Sequence, residues 1–493
     1  MCNDIATKWL TSLELPKLTI FKNCESQHVL RRLFIAERER KKMDKNNLSR
    51  RQFIAVASAG SLAAVASRST PAYGNVTKKA GKLAILGGEP VRKNKSWPNW
   101  PYWDEKVINK VVETTKSRIW CRIQSKSGTV PTFEKEFAQL MGTKFCVATG
   151  SGTQALHTCV EALGIGAGDE VITSPYTDPG TIASILSARA LPVLADLDSE
   201  SYQLDPEDVE RRITENTKAI MPVDMMGQPC NMEKITAIAK KHNLKVIEDA
   251  CQAHLAEYQG KKSGTIGDVG CFSFQSSKTI ACGEGGAIIG NDEELMDKCY
   301  TVHNHGTSRR GRTEVAGPKY RMNEFEAAVL LGQLPGVEER FARRNQNAAY
   351  LTSRLKDIPG IFPQKLYEGT TSGSFYIYAM TYRKEHFNDA DRSKFLKALS
   401  AEGVSLDEYI RQGLHREPWV EHILNSKVYQ KMFSKERLQK YREENACPSC
   451  DQVCQEMVMI WASGPLLGTK EDMDDVANAI LKVYENRDKL NSI

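Results

Sequence analysis

Lys278 is the residue of this chain that is best placed to act as a nucleophile. It follows the apolar segment 271–274 and precedes a glycine-rich turn at 283–286. A lysine between a strand and such a turn is partly shielded from water, and desolvation favours the neutral amine that attacks carbonyl groups. Since an isolated lysine is more often a solvated surface group, this role depends on partner residues nearby.

Asp249 is a second candidate, because it ends the apolar run 244–249. A carboxylate at the end of a buried strand needs a cationic partner or hydrogen bonds, since burial without them is costly. The simpler alternative is an aspartate that only caps a helix. Gln252 and His254 follow in the same turn and add further polar groups.

The third candidate is an anion-binding turn at 149–153, with the sequence Thr-Gly-Ser-Gly-Thr. Two glycines let the backbone approach an anion, and a helix that begins here points N–H groups and its positive dipole end at that anion. The spacing is neither that of a P-loop nor that of a dinucleotide-binding turn. By itself the turn is a weak signal.

Apolar runs alternate with amphipathic stretches in the middle of the chain, which predicts the elements that position these groups. The expected strands are 145–149, 169–174, 191–196, 217–223, 244–249, 269–274 and 285–290. The expected helices are 153–163, 181–190, 205–213 and 232–242. This alternation predicts an α/β fold with a mostly parallel seven-stranded sheet and helices on both faces. The polar groups then lie at the carboxyl ends of strands, where such sheets bind ligands.

After about residue 340 the pattern changes to charged helices and short strands. A strand over 375–381 and helices over 391–401 and 470–485 predict a smaller C-terminal α/β domain. We therefore expect an N-terminal extension at 1–74, a large domain at 75–340 and a small domain at 341–493. Residues 410–458 are expected to form an insertion or lid on the substrate side.

Together these motifs resemble the DegT/StrS family of pyridoxal-phosphate-dependent sugar aminotransferases, which have the fold-type I architecture. The matching segments are 151–153, 163–172, 227–229, 248–254, 267–274, 283–286, 304–306 and 320–324. Their order and spacing extend the resemblance over about residues 85–490.

The resemblance implies pyridoxal 5'-phosphate as the cofactor and gives each candidate residue a role. Lys278 would bind the cofactor aldehyde and move the substrate proton, and Asp249 would keep the pyridine nitrogen protonated. Gln252 would lie near the ring hydroxyl. The other cofactor-binding residues would hold the phosphate: Gly152, Thr153 and Ser273. No metal is expected.

Three positions depart from the family pattern. Asp178 stands where many members have an aromatic side chain that stacks on the cofactor ring, so Tyr176 becomes the expected stacking residue. Lys319 replaces an asparagine that members offer to the phosphate across a dimer, and a lysine would act there as a point charge. Asp224 replaces a frequent histidine. These changes indicate a divergent subgroup.

The implied reaction moves an amino group from glutamate or glutamine to a keto sugar or keto-cyclitol, in a homodimer. Two other functions stay open, a pyridoxal-phosphate-dependent sugar dehydratase and a non-catalytic exported protein of the same fold. Dehydrating members of the family carry a histidine in place of the lysine, so Lys278 favours the aminotransferase.

The basic charge is concentrated at the N-terminus. Residues 1–74 hold 13 Lys and Arg against 6 Asp and Glu, whereas residues 75–493 hold 54 against 55. A neutral body offers nucleic acid no basic surface, so a nucleic-acid partner is not expected. Apart from a signal segment no membrane contact is expected either, because no apolar run reaches the ~18 residues of a spanning helix.

The segment 50–54, Arg-Arg-Gln-Phe-Ile, precedes a weakly apolar stretch and resembles a twin-arginine export signal. We expect cleavage after 64–66 or near Ala72, a translation start at Met43, and export to the periplasm. The alternative is an ordinary amphipathic helix on a cytoplasmic protein.

Cys447, Cys450 and Cys454 form a C-x₂-C-x₃-C cluster. No fourth ligand lies nearby in the sequence, which disfavours a metal site. In an oxidising compartment one local disulfide is the expected state of these thiols.

Overall fold

A seven-stranded sheet forms the centre of the fold in the computed structural model, which describes residues 81–493. The predicted N-terminal extension, the export signal and the start at Met43 lie outside the described residues. The strands are β1 (Phe145–Thr149), β2 (Glu170–Thr173), β3 (Leu191–Leu194), β4 (Thr217–Met221), β5 (Lys245–Asp249), β8 (Val269–Ser273) and β9 (Gly286–Gly290).

The spatial order of these strands is β1-β9-β8-β5-β4-β2-β3. Strand β9 runs antiparallel to both of its neighbours, and the other neighbouring pairs are parallel. All seven predicted strands are present, and the predicted α/β fold class is confirmed. Two short strands, β6 (Glu257–Tyr258) and β7 (Lys261–Lys262), lie outside this sheet and pair with β11 (Thr370–Ser372).

Helices cover both faces of the central sheet. The helices of this part of the chain are α1 (Glu105–Ser117), α2 (Thr129–Met141), α3 (Gly152–Ala162), α4 (Pro179–Ser187), α5 (Pro206–Arg211), α6 (Met232–His242), α7 (Glu293–His303) and α8 (Glu324–Gln333). One face packs on α3 and α7, and the opposite face packs on α2 and α8. Apolar cores therefore lie on both sides of the sheet, as buried, near-continuous apolar strands require.

The C-terminal part is built on a second, antiparallel sheet. Its strands are β10 (Ile361–Pro363), β12 (Ile377–Tyr382) and β13 (Met457–Trp461), in the order β10-β12-β13. Its helices are α9 (Val337–Leu355), α10 (Arg392–Ala401) and α15 (Lys470–Glu485), which share one apolar core with the sheet. The predicted boundary at 340 falls inside α9, and the division into two domains stays a prediction.

Residues 410–456 pack against the edge of the central sheet. They form α11 (Trp419–Leu424), α12 (Tyr429–Met432), α13 (Lys435–Glu444) and α14 (Pro448–Glu456). The hydroxyls of Tyr429 and Tyr441 donate hydrogen bonds of 3.0 and 2.8 Å to the carbonyls of Ala190 and Pro192, at the edge strand β3. The segment that was expected to be a lid therefore covers an edge strand. An uncovered edge strand exposes unpaired backbone N–H and C=O groups that can pair with another chain.

The expected disulfide is wrong, because Cys447, Cys450 and Cys454 are buried free thiols. Cys450 and Cys454 lie one turn apart on the same face of α14, and they pack in the apolar cluster that contains Tyr176. The described residues contain no group of three or more His, Cys, Asp or Glu side chains able to hold a metal. Over the same residues, no helix is long and apolar enough to cross a membrane.

Candidate active site

A cavity of about 350 Å³ lies at the carboxyl ends of β5 and β8, next to the C-terminal sheet. Its walls come from the ends of these strands, from the first turns of α3 and α4, and from residues beside β12 and β13. Six sequence-predicted site residues line it: Gly152, Thr153, Asp249, Gln252, Ser273 and Lys278. The fold thus brings together residues that lie up to 126 positions apart in the sequence.

Lys278 is 9% exposed, and its backbone is held on both sides. Its N–H donates to the carbonyl of Gln275 at 2.8 Å, and its carbonyl accepts from Nε1 of Trp100 at 3.0 Å. The amine Nζ lies 4.1 Å from the centre of the Tyr376 ring. Because an aromatic face attracts a cation, Tyr376 holds the end of a flexible side chain against the cavity wall.

Asp249 is buried at the end of β5 and lines the same cavity as Lys278. Thr181 donates its hydroxyl to Oδ2 at 2.7 Å, and the N–H of Cys251 donates to Oδ1 at 3.3 Å. Burial raises the pKa of Asp249, while these hydrogen bonds and the charge of Lys278 act in the opposite direction. The carboxylate is therefore suited to pair with a cationic group inside the cavity.

The first turn of α3 forms the anion-binding end of the cavity. Ser151 caps this helix by accepting a 3.1 Å hydrogen bond from the N–H of Gln154. A Cβ atom at Gly152 would lie 2.8 Å from both the Sγ of Cys251 and the Cβ of Ser273, so only glycine lets the helix start this close to β8. Backbone N–H groups and the hydroxyls of Thr153 and Ser273 then face the cavity together, a donor set that suits a phosphate.

Gln252 is buried and its amide is fixed at both ends. Its Nε2 donates to Oη of Tyr409 at 3.0 Å, and its Oε1 accepts from the N–H of Met226 at 2.8 Å. The side chain therefore has one orientation in the cavity wall. Tyr409 in turn connects the central sheet to the C-terminal part of the chain.

Tyr176 and Lys319 do not line this cavity. Tyr176 is fully buried, with its ring centre 6.5 Å from that of Tyr409, so it packs behind the cavity wall. Lys319 is exposed, although Arg321 two residues later forms a backbone bridge with Thr149 beside the anion-binding turn. The structure therefore does not place Tyr176 as a stacking residue, and Lys319 does not reach the cavity of its own chain.

Asp178 is a helix cap at the mouth of the cavity. Its Oδ1 accepts a 2.8 Å hydrogen bond from the N–H of Gly180, and Pro179 occupies the first position of α4. Aspartate before proline is a favourable helix start. This local role explains why α4 begins two residues earlier than the predicted start at Thr181.

Thr181, Tyr376, Tyr409 and Trp461 are among the residues of the site that were not found from the sequence. The three aromatic residues come from separate segments of the C-terminal part, and no spacing connects them to Lys278 or Asp249. Thr181 lies in a predicted helix, but its contact with Asp249 depends on how the helix packs on the sheet. Only the fold reveals these residues.

An amine, a buried carboxylate and an anion-binding helix start therefore surround one cavity. This set suits imine chemistry on a phosphorylated ring that carries a carbonyl group and a basic nitrogen. The sequence model of the DegT/DnrJ/EryC1/StrS aminotransferase family matches residues 101–481. The chain belongs to this family. This aminotransferase is an enzyme whose cofactor is pyridoxal 5'-phosphate, and the donor set of the cavity fits that cofactor.

Named relatives and solved structures resemble this aminotransferase over most of its length. It is 32% identical to an L-glutamine:2-deoxy-scyllo-inosose aminotransferase of Streptoalloteichus tenebrarius, over 83% of this chain and 99% of the relative. It is also 32% identical to an L-glutamine:scyllo-inosose aminotransferase of Streptomyces griseus, over 82% and 98%. A crystal structure of 3-amino-5-hydroxybenzoic acid synthase is 27% identical, with a TM-score of 0.68 over 79% of this chain and 99% of that one.

Proposed function

We propose that this aminotransferase moves the amino group of L-glutamine, or of glutamate, to the ketone of a keto-cyclitol or keto sugar. The observation that carries the proposal is that Lys278 and Asp249 line one cavity whose far end is the start of α3. Relatives named as glutamine:inosose aminotransferases support the donor and the class of acceptor.

Different residues of the cavity would hold different parts of the cofactor. The first turn of α3 with Thr153 and Ser273 would hold the phosphate, Gln252 would lie near the ring hydroxyl, and Asp249 would pair with the pyridine nitrogen. When bound, the cofactor accepts electrons from the bonds at the carbon that carries the amino group. Asp249 supports this by keeping the ring nitrogen protonated.

Lys278 has two tasks in each half of the reaction. Its amine would hold the cofactor through the aldehyde group, and the same amine would carry the proton to and from the substrate carbon. The aromatic face of Tyr376 keeps Nζ in the cavity during both tasks. Glutamine or glutamate leaves its amino group on the enzyme in the first half, and the ketone takes it up in the second.

The test is a spectrum followed by an assay. The purified protein should show the absorption band of lysine-bound cofactor, and Lys278→Ala should lose both this band and at least about 100-fold of the activity. L-glutamine and L-glutamate are then tested as donors against a panel of keto-cyclitols and keto sugars, with detection of the aminated product. A wild-type protein that binds no cofactor would support the non-catalytic alternative.

We also propose a homodimer. Ile108 and Val112 are exposed one turn apart on α1, and Trp120 and Ile123, which follow this helix in the chain, are exposed as well. Lys319 is exposed and lies outside the cavity of its own chain, so it would be free to face a phosphate across such an interface. Sedimentation of the wild type and of Val112→Glu tests this, with a shift from dimer to monomer expected for the variant.

Export through the twin-arginine route is proposed from the sequence alone. Its support is the Arg50-Arg51 pair ahead of a weakly apolar segment in a basic N-terminal region. The route transports folded proteins, which suits an enzyme that acquires its cofactor before export. A reporter fused to residues 43–74 should reach the periplasm, and replacing both arginines by lysine should stop it.

A further inference from the structure

Trp461 lines the cavity, and its side chain is also exposed to solvent. It ends β13 and is 42% exposed, whereas the four preceding residues of that strand are buried. A large aromatic side chain left open to solvent at a ligand cavity is typical of a binding contact rather than of packing.

Two tyrosines hold the Trp461 ring in place. The ring centres of Tyr376 and Tyr409 each lie 5.7 Å from that of Trp461, with interplanar angles of 69° and 83°. Both contacts are edge-to-face, which is a favourable arrangement of aromatic rings. Tyr376 and Tyr409 also contact Lys278 and Gln252, so the indole is fixed relative to the catalytic amine.

The charge around the mouth of the cavity is acidic. Lys278 is the single cationic side chain among the described residues that line the cavity, and Asp178 and Glu284 are exposed carboxylates on the same wall. The charge of Asp178 helps to raise the pKa of Tyr409, after the larger effect of burial. These two carboxylates can accept hydrogen bonds from the hydroxyls of a ligand in the cavity.

We propose that Trp461 is the platform on which the ring of the acceptor stacks. The inference rests on the proposed function and names a residue that binds its acceptor. A six-membered ring with equatorial hydroxyls presents axial C–H groups on both faces, and such a face packs on an indole. The hydroxyls at its edge then donate hydrogen bonds to Asp178 and Glu284, which accept them as carboxylates.

The test separates the two halves of the reaction. Trp461→Ala should raise the KM for scyllo-inosose about tenfold or more, the loss expected for one stacking contact. The same variant should keep the rate of the donor half-reaction with L-glutamine, measured from the cofactor absorbance without acceptor. Trp461→Phe should recover part of the KM. Phe362→Ala, which removes another exposed aromatic of the same C-terminal sheet, should change neither quantity.

The outcomes are distinguishable. If the donor half-reaction proceeds but Trp461→Ala leaves the acceptor KM unchanged, the inference is overturned while the aminotransferase function stands. If no amino donor reacts with the wild type, both are overturned.

Discussion

The hydroxyl of Thr181 donates a 2.7 Å hydrogen bond to Oδ2 of Asp249, across the wall between α4 and β5. Thr181 lies in the first helical turns of α4, and its Oγ1 also lies 2.9 Å from Oγ1 of Thr177. The ionisation of this buried carboxylate therefore depends on a helix that is capped by Asp178, at the cavity mouth.

Replacing Thr181 by valine should weaken cofactor binding at low pH. The hydrogen bond from Thr181 favours the charged form of Asp249 and so lowers its pKa, whereas burial raises it. Without this hydrogen bond the effect of burial is larger, and the pKa of Asp249 rises further. One hydrogen bond to a carboxylate corresponds to a shift of about one pH unit. The affinity of the apo protein for pyridoxal 5'-phosphate, titrated against pH, should therefore begin to fall at a pH about one unit higher in the variant.

Thr181→Ser retains the donor and should restore the wild-type profile. Thr236→Val serves as the matched control, because that hydroxyl donates to the carbonyl of Met232 within its own helix. Identical profiles for Thr181→Val and the wild type would show that the hydrogen bond does not govern Asp249.

Asp178 should stabilise the fold by capping α4, and it should not change the electronic properties of the cofactor ring. Asp178→Ala removes the acceptor for the N–H of Gly180 and should cost about 1 kcal/mol of unfolding free energy. Asp178→Asn keeps an acceptor and should cost little. Both variants should leave the position of the cofactor absorption band unchanged, and a shifted band in Asp178→Asn would instead reveal a direct effect of this charge on the ring.

Two buried carboxylates should make the protein less stable as pH rises. Burial raises the pKa of Asp224 to about 6 and, with the charge of Asp224 added, that of Glu248 to about 7. The folded chain thus keeps protons that the unfolded chain has already lost, and the free energy of unfolding falls between about pH 4 and about pH 7.

Asp224→Asn should remove about 3 kcal/mol of that fall in the free energy of unfolding, as measured by urea denaturation between about pH 4 and about pH 7. The asparagine can still accept the 2.9 Å hydrogen bond from the N–H of Cys230. Asp297→Asn, at an exposed carboxylate, should leave the pH dependence unchanged. A variant at position 224 that loses stability with pH as steeply as the wild type would contradict this assignment.

Arg437 should anchor the segment 410–456 to the sheet edge. Its Nε donates to Oε1 of the fully buried Glu170 at 2.6 Å. Arg437→Ala leaves this carboxylate without its cation and should cost about 3 kcal/mol of unfolding free energy. Because the segment covers β3 and not the cavity, the donor half-reaction should keep its wild-type rate.

Arg442→Ala is the control, since its partly exposed pair with Glu421 should contribute no more than about 1 kcal/mol. Chemical denaturation of both variants compares the two arginines. Equal losses would mean that the contact with Glu170 does not hold the segment in place.

The strands were predictable because their apolar runs are short, uninterrupted and bounded by polar turns. The first residues of the helices were harder to predict. The helix α4 begins at Pro179 because of a local cap at Asp178, which a search for apolar periodicity does not detect. The expected disulfide is not formed, because Cys447, Cys450 and Cys454 pack as free thiols in a buried apolar cluster, and their spacing in the sequence does not reveal this burial.

The sequence by itself determined the fold class, and it predicted Lys278, Asp249 and the turn at 149–153 as site residues, since each lies at or after the end of a strand that is recognisable from local composition. Tertiary structure alone decided which strands are neighbours and therefore that β5 and β8 bring the amine and the carboxylate to one cavity. It also decided that Tyr376, Tyr409 and Trp461 complete the wall and that Tyr176 does not. The physical reason is that these contacts join segments far apart in the chain, whose approach is set by the packing of whole elements.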